Sequence, residues 1–513
     1  MELFWLISFL IPFFALIFSQ LAFPLTLLLL FFYIFISYFL SLCLVPGGFA
    51  WKDFKQNPKN DHFKGPLFSW HFLGFLPQMG HHAHRKLASL ASSLHATRLL
   101  AISLGSTRVI LSSHPETAKE ILCGSAFSDR PIKESTHLLM FDRAIGFAPS
   151  GKYWRHIRKI ASYHMFSPRR ISSLEGLRQS IVDYMIGEVW REMNERGFVE
   201  LRGILQKGSL NNMLESVFGS SDFFGLNELG LMVKEGYELI GEFNWADYFP
   251  LGFLDFYGVR RRCNKLATRV NGLLSEIIKE RRKGGDFNTR NDFLSVLLSL
   301  PQQDQLSDAD MVAVLWEMVF RGIDNVSILL EWIMARMVVH QDIQKKVQHE
   351  IDMFTSPNIQ IHDSDIANLP YLQAIVKEVL RLHPPGPLLS WARLSTHDVF
   401  LDKCFIPAGT TAMVNMWAIA HDPTIWADPW AFRPERFIEE DFSVLGSDLR
   451  LAPFGSGRRA CPGKALGLAT VHLWAARLLK QFKWVPSQPV DLGECLKFSL
   501  EMKKPLVCYA VTR

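Results

Sequence analysis

The stretch "PQQDQLSDADMVAVLWEMVFRGIDNVSILLEWIMARMVVH" constrains the chain more than any other. Ser307, with Asp310 three residues later, has the capping-box spacing of a helix start, and the apolar pattern then runs on as one helix. At well over twice the usual ~11–12 residues, such a helix would cross the whole body of a globular domain. "LPYLQAIVKEVLRLHPPGP" is a second helix, opened after Pro370 and closed before Pro384-Pro385. Short β-like runs occur at "RVILSS", "DVFLDKCFI" and "TTAMVNMWAI", while "KGGDFNTRND" and "SLPQQDQLS" read as surface loops. No linker divides the body and no fixed-period repeat appears. The expectation is one large domain, mainly α with a minor β-sheet region.

Ahead of that body lies a different kind of sequence. No charged residue occurs between Glu2 and Lys52, and the run through Val45 is almost unbroken in apolar character. A membrane span needs about 20 apolar residues, so residues 1–45 read as an anchor of one span or, turning near Pro24, of two. A signal peptide would start positively and be shorter. Lys52, Lys55, Lys59 and Lys64 follow the run, and by the positive-inside rule they keep the body on the cytosolic side. Residues 46–84 form a Gly/Pro/Lys-containing hinge and residues 85–513 the catalytic body. The net charge of +5 is too mild and dispersed to imply nucleic acid. Seven cysteines without zinc-like spacing argue against a disulfide framework.

One of those cysteines sits in "PFGSGRRACPG", Pro453 to Gly463, followed by the amphipathic "KALGLATVHLWAARLLKQF". Phe454, Gly457, Arg459, Cys461 and Gly463 hold fixed spacing on a tight loop at a helix N-terminus. Backbone N–H groups and the helix dipole there favour an anion, so a thiolate at Cys461 is a natural metal ligand. The glycines let backbone approach a flat cofactor, and Arg459 can neutralise a carboxylate at that cofactor's edge.

The loop resembles the haem-binding loop of cytochrome P450 monooxygenases, whose cysteine is the axial thiolate on haem b iron and whose ligation favours O–O cleavage. Glu378 and Arg381 in "KEVLRLHPP" match the family's ExxR, and Arg436 in "FRPERF" matches its third partner, a structural triad. Glu188 and Arg191 share the ExxR spacing but read as a solvated i,i+3 pair. "YWRHIRK" resembles the family's WxxxR, which implies that Trp154 and Arg158 contact a haem propionate, as Arg393 in "LSWARL" also would. Gly322, Asp324 and Asn325 in "FRGIDNVS" fall where the family carries its oxygen-activating group. There the resemblance implies a gap for dioxygen at Gly322 and proton delivery by Asp324. Arg321 stands where a small residue is usual, and Asn325 where threonine is usual. An amide can still hydrogen-bond water. At finer grain, "FSDRPIKEST", "AIGFAPSGKYWR" and "HPPGPLLSWARLSTHDV" resemble a plant microsomal group associated with organ growth (KLUH- and PLASTOCHRON-like).

The resemblance implies insertion of one atom of O2 into a lipophilic small molecule, a fatty acid or related lipid, with electrons from NADPH through NADPH–cytochrome P450 reductase. The reductase would dock on the Cys461 side, near Arg155, Lys159 and Lys464. It further implies an endoplasmic reticulum membrane location, and a pocket formed by "KESTHLLMFDRAIGF", the Gly322 region, Leu389–Ser390 and "KFSLEM", with Phe141, Leu389 and Phe498 facing an apolar ligand. Asn325 keeps two alternatives open: a reductase-independent haem-thiolate isomerase or dehydratase acting on oxygenated lipids, and a weakly catalytic haem-binding component.

Overall fold

A computed structural model describes residues 28–34, 45–54, 64–67, 70, 72–131, 133–219, 226–249, 255–285, 290–355, 359–389 and 392–513. Residues 28–34 are helical, and, apart from Val45, the rest of the expected anchor lies outside the described residues. Among the described residues no helix is long and apolar enough to cross a membrane.

Seven helices position the site: α1 (Lys152–His164), α2 (Glu175–Arg196), α3 (Leu201–Phe218), α4 (Asp308–Gly322), α5 (Asp324–Val339), α6 (Pro370–Leu382) and α7 (Lys464–Gln481). α5 is the hub. It packs against α3, α6 and α7, and α2 closes the group against α3 and α7. Its residues Ile328 to Val338 are apolar and buried on nearly every side, apart from Glu331 and the half-buried Arg336, as a helix surrounded by other helices must be. Glu331 is matched by Arg202 of α3 at 2.9 Å and by the Leu506 N–H at 3.0 Å.

Among the described residues eleven short strands lie at the margins: β1 (Leu100–Leu104), β2 (Thr107–Ser112), β3 (Val199–Glu200), β4 (Arg393–Leu394), β5 (Val399–Leu401), β6 (Cys404–Ile406), β7 (Thr411–Val414), β8 (Phe482–Pro486), β9 (Glu494–Leu496), β10 (Leu500–Met502) and β11 (Val507–Thr512). The largest sheet runs β1-β2-β7-β4, with β2 and β7 parallel and the other pairs antiparallel. Its register sets Arg393 opposite Ala412. The expected strands at "RVILSS" and "DVFLDKCFI" are β2 and the β5–β6 hairpin. "TTAMVNMWAI" is strand only to Val414. Asn415 then accepts the Ala418 N–H at 3.1 Å and caps a short helix, Met416–Ala420.

The long helix is also corrected. It starts as expected, with Ser307 Oγ accepting the Asp310 N–H at 3.2 Å, but it is broken at Ile323 between α4 and α5. At the break the Tyr237 hydroxyl donates to the Phe320 carbonyl, the acceptor the Asp324 N–H would use in an unbroken helix. Ser327 Oγ donates to the Asp324 carbonyl at 2.9 Å just beyond the break.

Candidate active site

Cys461 stands three residues before α7. Its N–H donates to the Phe454 carbonyl at 2.9 Å, which closes the loop on itself. Gly455 and Gly457 have φ of +67° and +68°, where only glycine is unstrained. A Cβ on Gly457 would also sit 2.3 Å from the Leu122 carbonyl oxygen. The loop is thus pressed against a neighbouring helix end with no room for a side chain. Cys461 is surface-accessible although Arg459 and Ala460 just before it are buried. Enough protein surrounds the sulfur for burial to push its thiol up, while Arg321, the Gly463 N–H, Arg158 and Lys464 pull the other way. The helix N-terminus therefore does not hold a thiolate unaided, contrary to the electrostatic expectation. A coordinated metal reverses that balance.

Around the loop the structure collects cations. Arg459 is 6% exposed and donates to the carbonyls of Ser128, Ile145 and Ala148. Its guanidinium also lies 4.2 Å from the Trp154 ring centroid. Trp154 Nε1 donates to the Ile145 carbonyl at 2.9 Å, and Arg158 donates to the Ala460 carbonyl at 2.6 Å. Arg393 is 3% exposed and donates to the Ser456 carbonyl at 3.0 Å, while its Nε has no partner among the described residues. Arg130, which sequence reasoning quoted but did not assign, belongs to the same cluster. Burial, then Arg393, Arg321 and Arg459, hold it well below the usual arginine range. Burial and then Arg459 bring Arg393 down to about 10, and burial, then Arg158, bring Arg459 to about 10 despite Asp129. Cations buried this close destabilise one another unless matched by anions. Asp129, 3.6 Å from Arg459, and Glu317 are nearby carboxylates, fewer than the cations they face. A flat dianion edged with carboxylates fits this surplus, and the accessible Cys461 fits an axial ligand, while Cys123, also exposed, lies 3.4 Å from Ser456 Oγ. By this test the residues suit haem.

The triad is assembled as expected. Arg381 binds Glu378 through two bonds of 2.8 Å, and both are fully buried. Arg436 Nε reaches the same carboxylate at 3.2 Å and the Arg433 N–H reaches it at 2.9 Å. The remaining arginine donors hold the carbonyls of Ala420, Ala427, Pro429 and Ala431. Glu188 and Arg191 are the exposed i,i+3 pair expected.

On the α4–α5 side the sequence reading needs revision at Gly322. A Cβ there would lie 2.6 Å from the thioether of Met213 on α3. Gly322 serves close helix packing in this structure rather than opening a gap. Asp324 lines a cavity of about 1360 Å³ together with Ile323, Leu388 and Phe498, larger than the ~300–1,000 Å³ usual for small-molecule sites. Burial, then Glu501, raises the Asp324 carboxyl to about 7, against the pull of Lys497. Asn325 is exposed and accepts from Ser499 Oγ at 3.3 Å. Of the expected pocket residues, Phe498 lines this cavity, Phe141 packs into the apolar core, Leu389 borders another core cluster and Ser390 is outside the described residues.

An α-rich body that sets the Cys461 loop among Arg130, Arg158 and the buried Arg393 and Arg459 defines a thiolate-ligated haem protein. The chain belongs to the cytochrome P450 family, whose model matches residues 64–509. It is similar to cytochrome P450 78A5 of Arabidopsis thaliana, 54% identical over 92% of this chain and 93% of the relative. It is also similar to cytochrome P450 78A3 of Glycine max, at 51% over 90% of each chain. Flavonoid 3'-monooxygenase of Arabidopsis thaliana is 34% identical over 86% of this chain and 90% of its own length. A zebra fish cytochrome P450 solved with abiraterone superposes with a TM-score of 0.71 at 24% identity, covering 84% of this chain and 99% of that one, a likeness of fold. The chain is accordingly a cytochrome P450 monooxygenase, and its likeness to the 78A relatives bears out the plant organ-growth resemblance.

Proposed function

We propose that the enzyme hydroxylates a lipophilic small molecule, a fatty acid or related lipid, by R–H + O2 + NADPH + H⁺ → R–OH + H2O + NADP⁺, and that the product serves plant growth signalling. The observation that carries the substrate reading is the cavity: Ile323, Leu388 and Phe498 give it apolar walls, and Asp324 opens onto it. Bound haem would supply oxygen activation, with electrons arriving singly from NADPH–cytochrome P450 reductase.

The protein's part is positional. Cys461 would ligate the iron, with Phe454 bracing the loop through its carbonyl. Trp154, Arg158, Arg393 and Arg459, joined by Arg130, would bind the carboxylates. Asp324, near-neutral in its titration, is suited to donate a proton at physiological pH. Residues 1–45 would anchor the chain in the endoplasmic reticulum membrane, residues 46–84 form the hinge, and residues 85–513 face the cytosol. The reductase would dock near Arg155, Lys159 and Lys464.

The test is expression with the reductase, a screen of fatty acids, and ¹⁸O2 labelling of the product. Incorporation of one labelled atom that depends on NADPH and reductase supports the reading. Turnover of lipid hydroperoxides with neither would support the isomerase alternative that Asn325 leaves open.

A further inference from the structure

The β9–β10 hairpin carries polar side chains on alternate residues, Lys497 and Ser499 in its turn and Glu501 in β10, and all three line the same cavity as Asp324. Lys497 pairs with Glu501, with side-chain exposures of 62% and 17%, so this pair runs from solvent towards the interior. Ser499 is 4% exposed and its hydroxyl donates to Asn325 Oδ1 at 3.3 Å. The hairpin is held in place. Trp332 Nε1 of α5 donates to the Leu500 carbonyl at 3.0 Å, and the Leu500 N–H donates to the Pro385 carbonyl at 2.9 Å.

We infer that this turn is the proton-delivery arm of the site, Ser499 supplying across the gap the hydroxyl that Asn325 lacks and Glu501 relaying protons from solvent to Asp324. The inference rests on the monooxygenase reading and assigns its proton route. In each relay Glu501 gives its carboxyl proton to the Asp324 carboxylate and its own carboxylate takes another from a solvent hydronium ion, which becomes water, so charge and protons balance. Lys497 steadies the Glu501 charge. Three neighbouring groups are committed elsewhere. The Tyr237 hydroxyl is spent on the Phe320 carbonyl, and burial raises it well above the usual tyrosine range. Glu331 is engaged by Arg202, and Arg321 lies towards Glu317 and Cys461.

The experiment uses the holoenzyme with reductase and no added substrate, reading hydrogen peroxide released per NADPH oxidised. Ser499→Ala is expected to raise that ratio about fivefold or more in the Asn325 background. It is expected to change it little once Asn325→Thr places a hydroxyl on the helix itself, and Ser499→Thr should behave as the parent. Infrared titration of Asp324, assigned by Asp324→Asn, should move to lower pH in Glu501→Gln and to higher pH in Lys497→Met. An equal effect of Ser499→Ala in both backgrounds, or an unmoved Asp324 titration, overturns the inference and leaves the monooxygenase reading intact. A parent enzyme that binds haem yet oxidises no NADPH with reductase overturns both.

Discussion

At the scale of single residues, the site is a set of groups each held away from its ordinary state by burial. Asp324 shows the consequence most clearly. Its carboxyl is raised from 3.8 to about 7, first by burial and second by Glu501. A raised acid is protonated in the folded protein, so its ionisation opposes folding. That penalty is absent below the unfolded value, grows between the two, and is complete above about 7. Asp324→Asn should therefore stabilise the fold at pH 8 by about 1–3 kcal/mol, after allowance for partial exposure, and by little at pH 4. Denaturation at the two pH values checks this. As a proton donor the same group fails as pH rises, so product formation should fall through about pH 7 and the variant should lose that dependence. The identity of Cys461, Arg459, Arg393 and Asp324 was legible in the sequence, because each sits in a short motif. Their electrostatics were not. The thiol is pushed up rather than down, and Arg130 joins the cation cluster from a distant loop, because burial depends on what the fold brings near.

At the scale of elements, two devices fix the site from outside it. The first is the buried triad, in which one carboxylate and two guanidinium forks clamp the 427–433 segment onto α6. Removing one member leaves the others charged, buried and unmatched. Glu378→Gln should cost about 3–5 kcal/mol and be seen as loss of holoenzyme. Glu188→Gln, in the exposed pair of the same spacing, should cost below about 0.5 kcal/mol. Thermal denaturation of the two variants side by side measures the contrast. The second device is the α4–α5 break. The helix start was readable from Ser307 and Asp310 and its length from periodicity. The break was not, and the Tyr237 hydroxyl that meets the Phe320 carbonyl there comes from far away in the chain. Gly322 misled for a related reason: a glycine in a helix signals close approach, and only the structure shows that Met213 makes it.

For the whole molecule, an α-rich body with small marginal sheets followed from helix-length periodicity and proline punctuation, and the structure bears it out. The pairing of β2 with β7, some three hundred residues apart, had no local signal. Under the proposed function the apolar run before Lys52 is a membrane anchor. A chain lacking residues 1–45 should leave the microsomal membrane fraction for salt-extractable or soluble fractions while keeping its haem spectrum, as fractionation and absorbance would show. The account as a whole turns on the bond between Cys461 and iron. Its most direct test is the carbon-monoxide difference spectrum of the reduced protein, recorded for the parent and for Cys461→Ser. The account predicts the long-wavelength Soret band of a thiolate ligand in the parent and its loss in the variant. Persistence of that band without the Cys461 sulfur would contradict it.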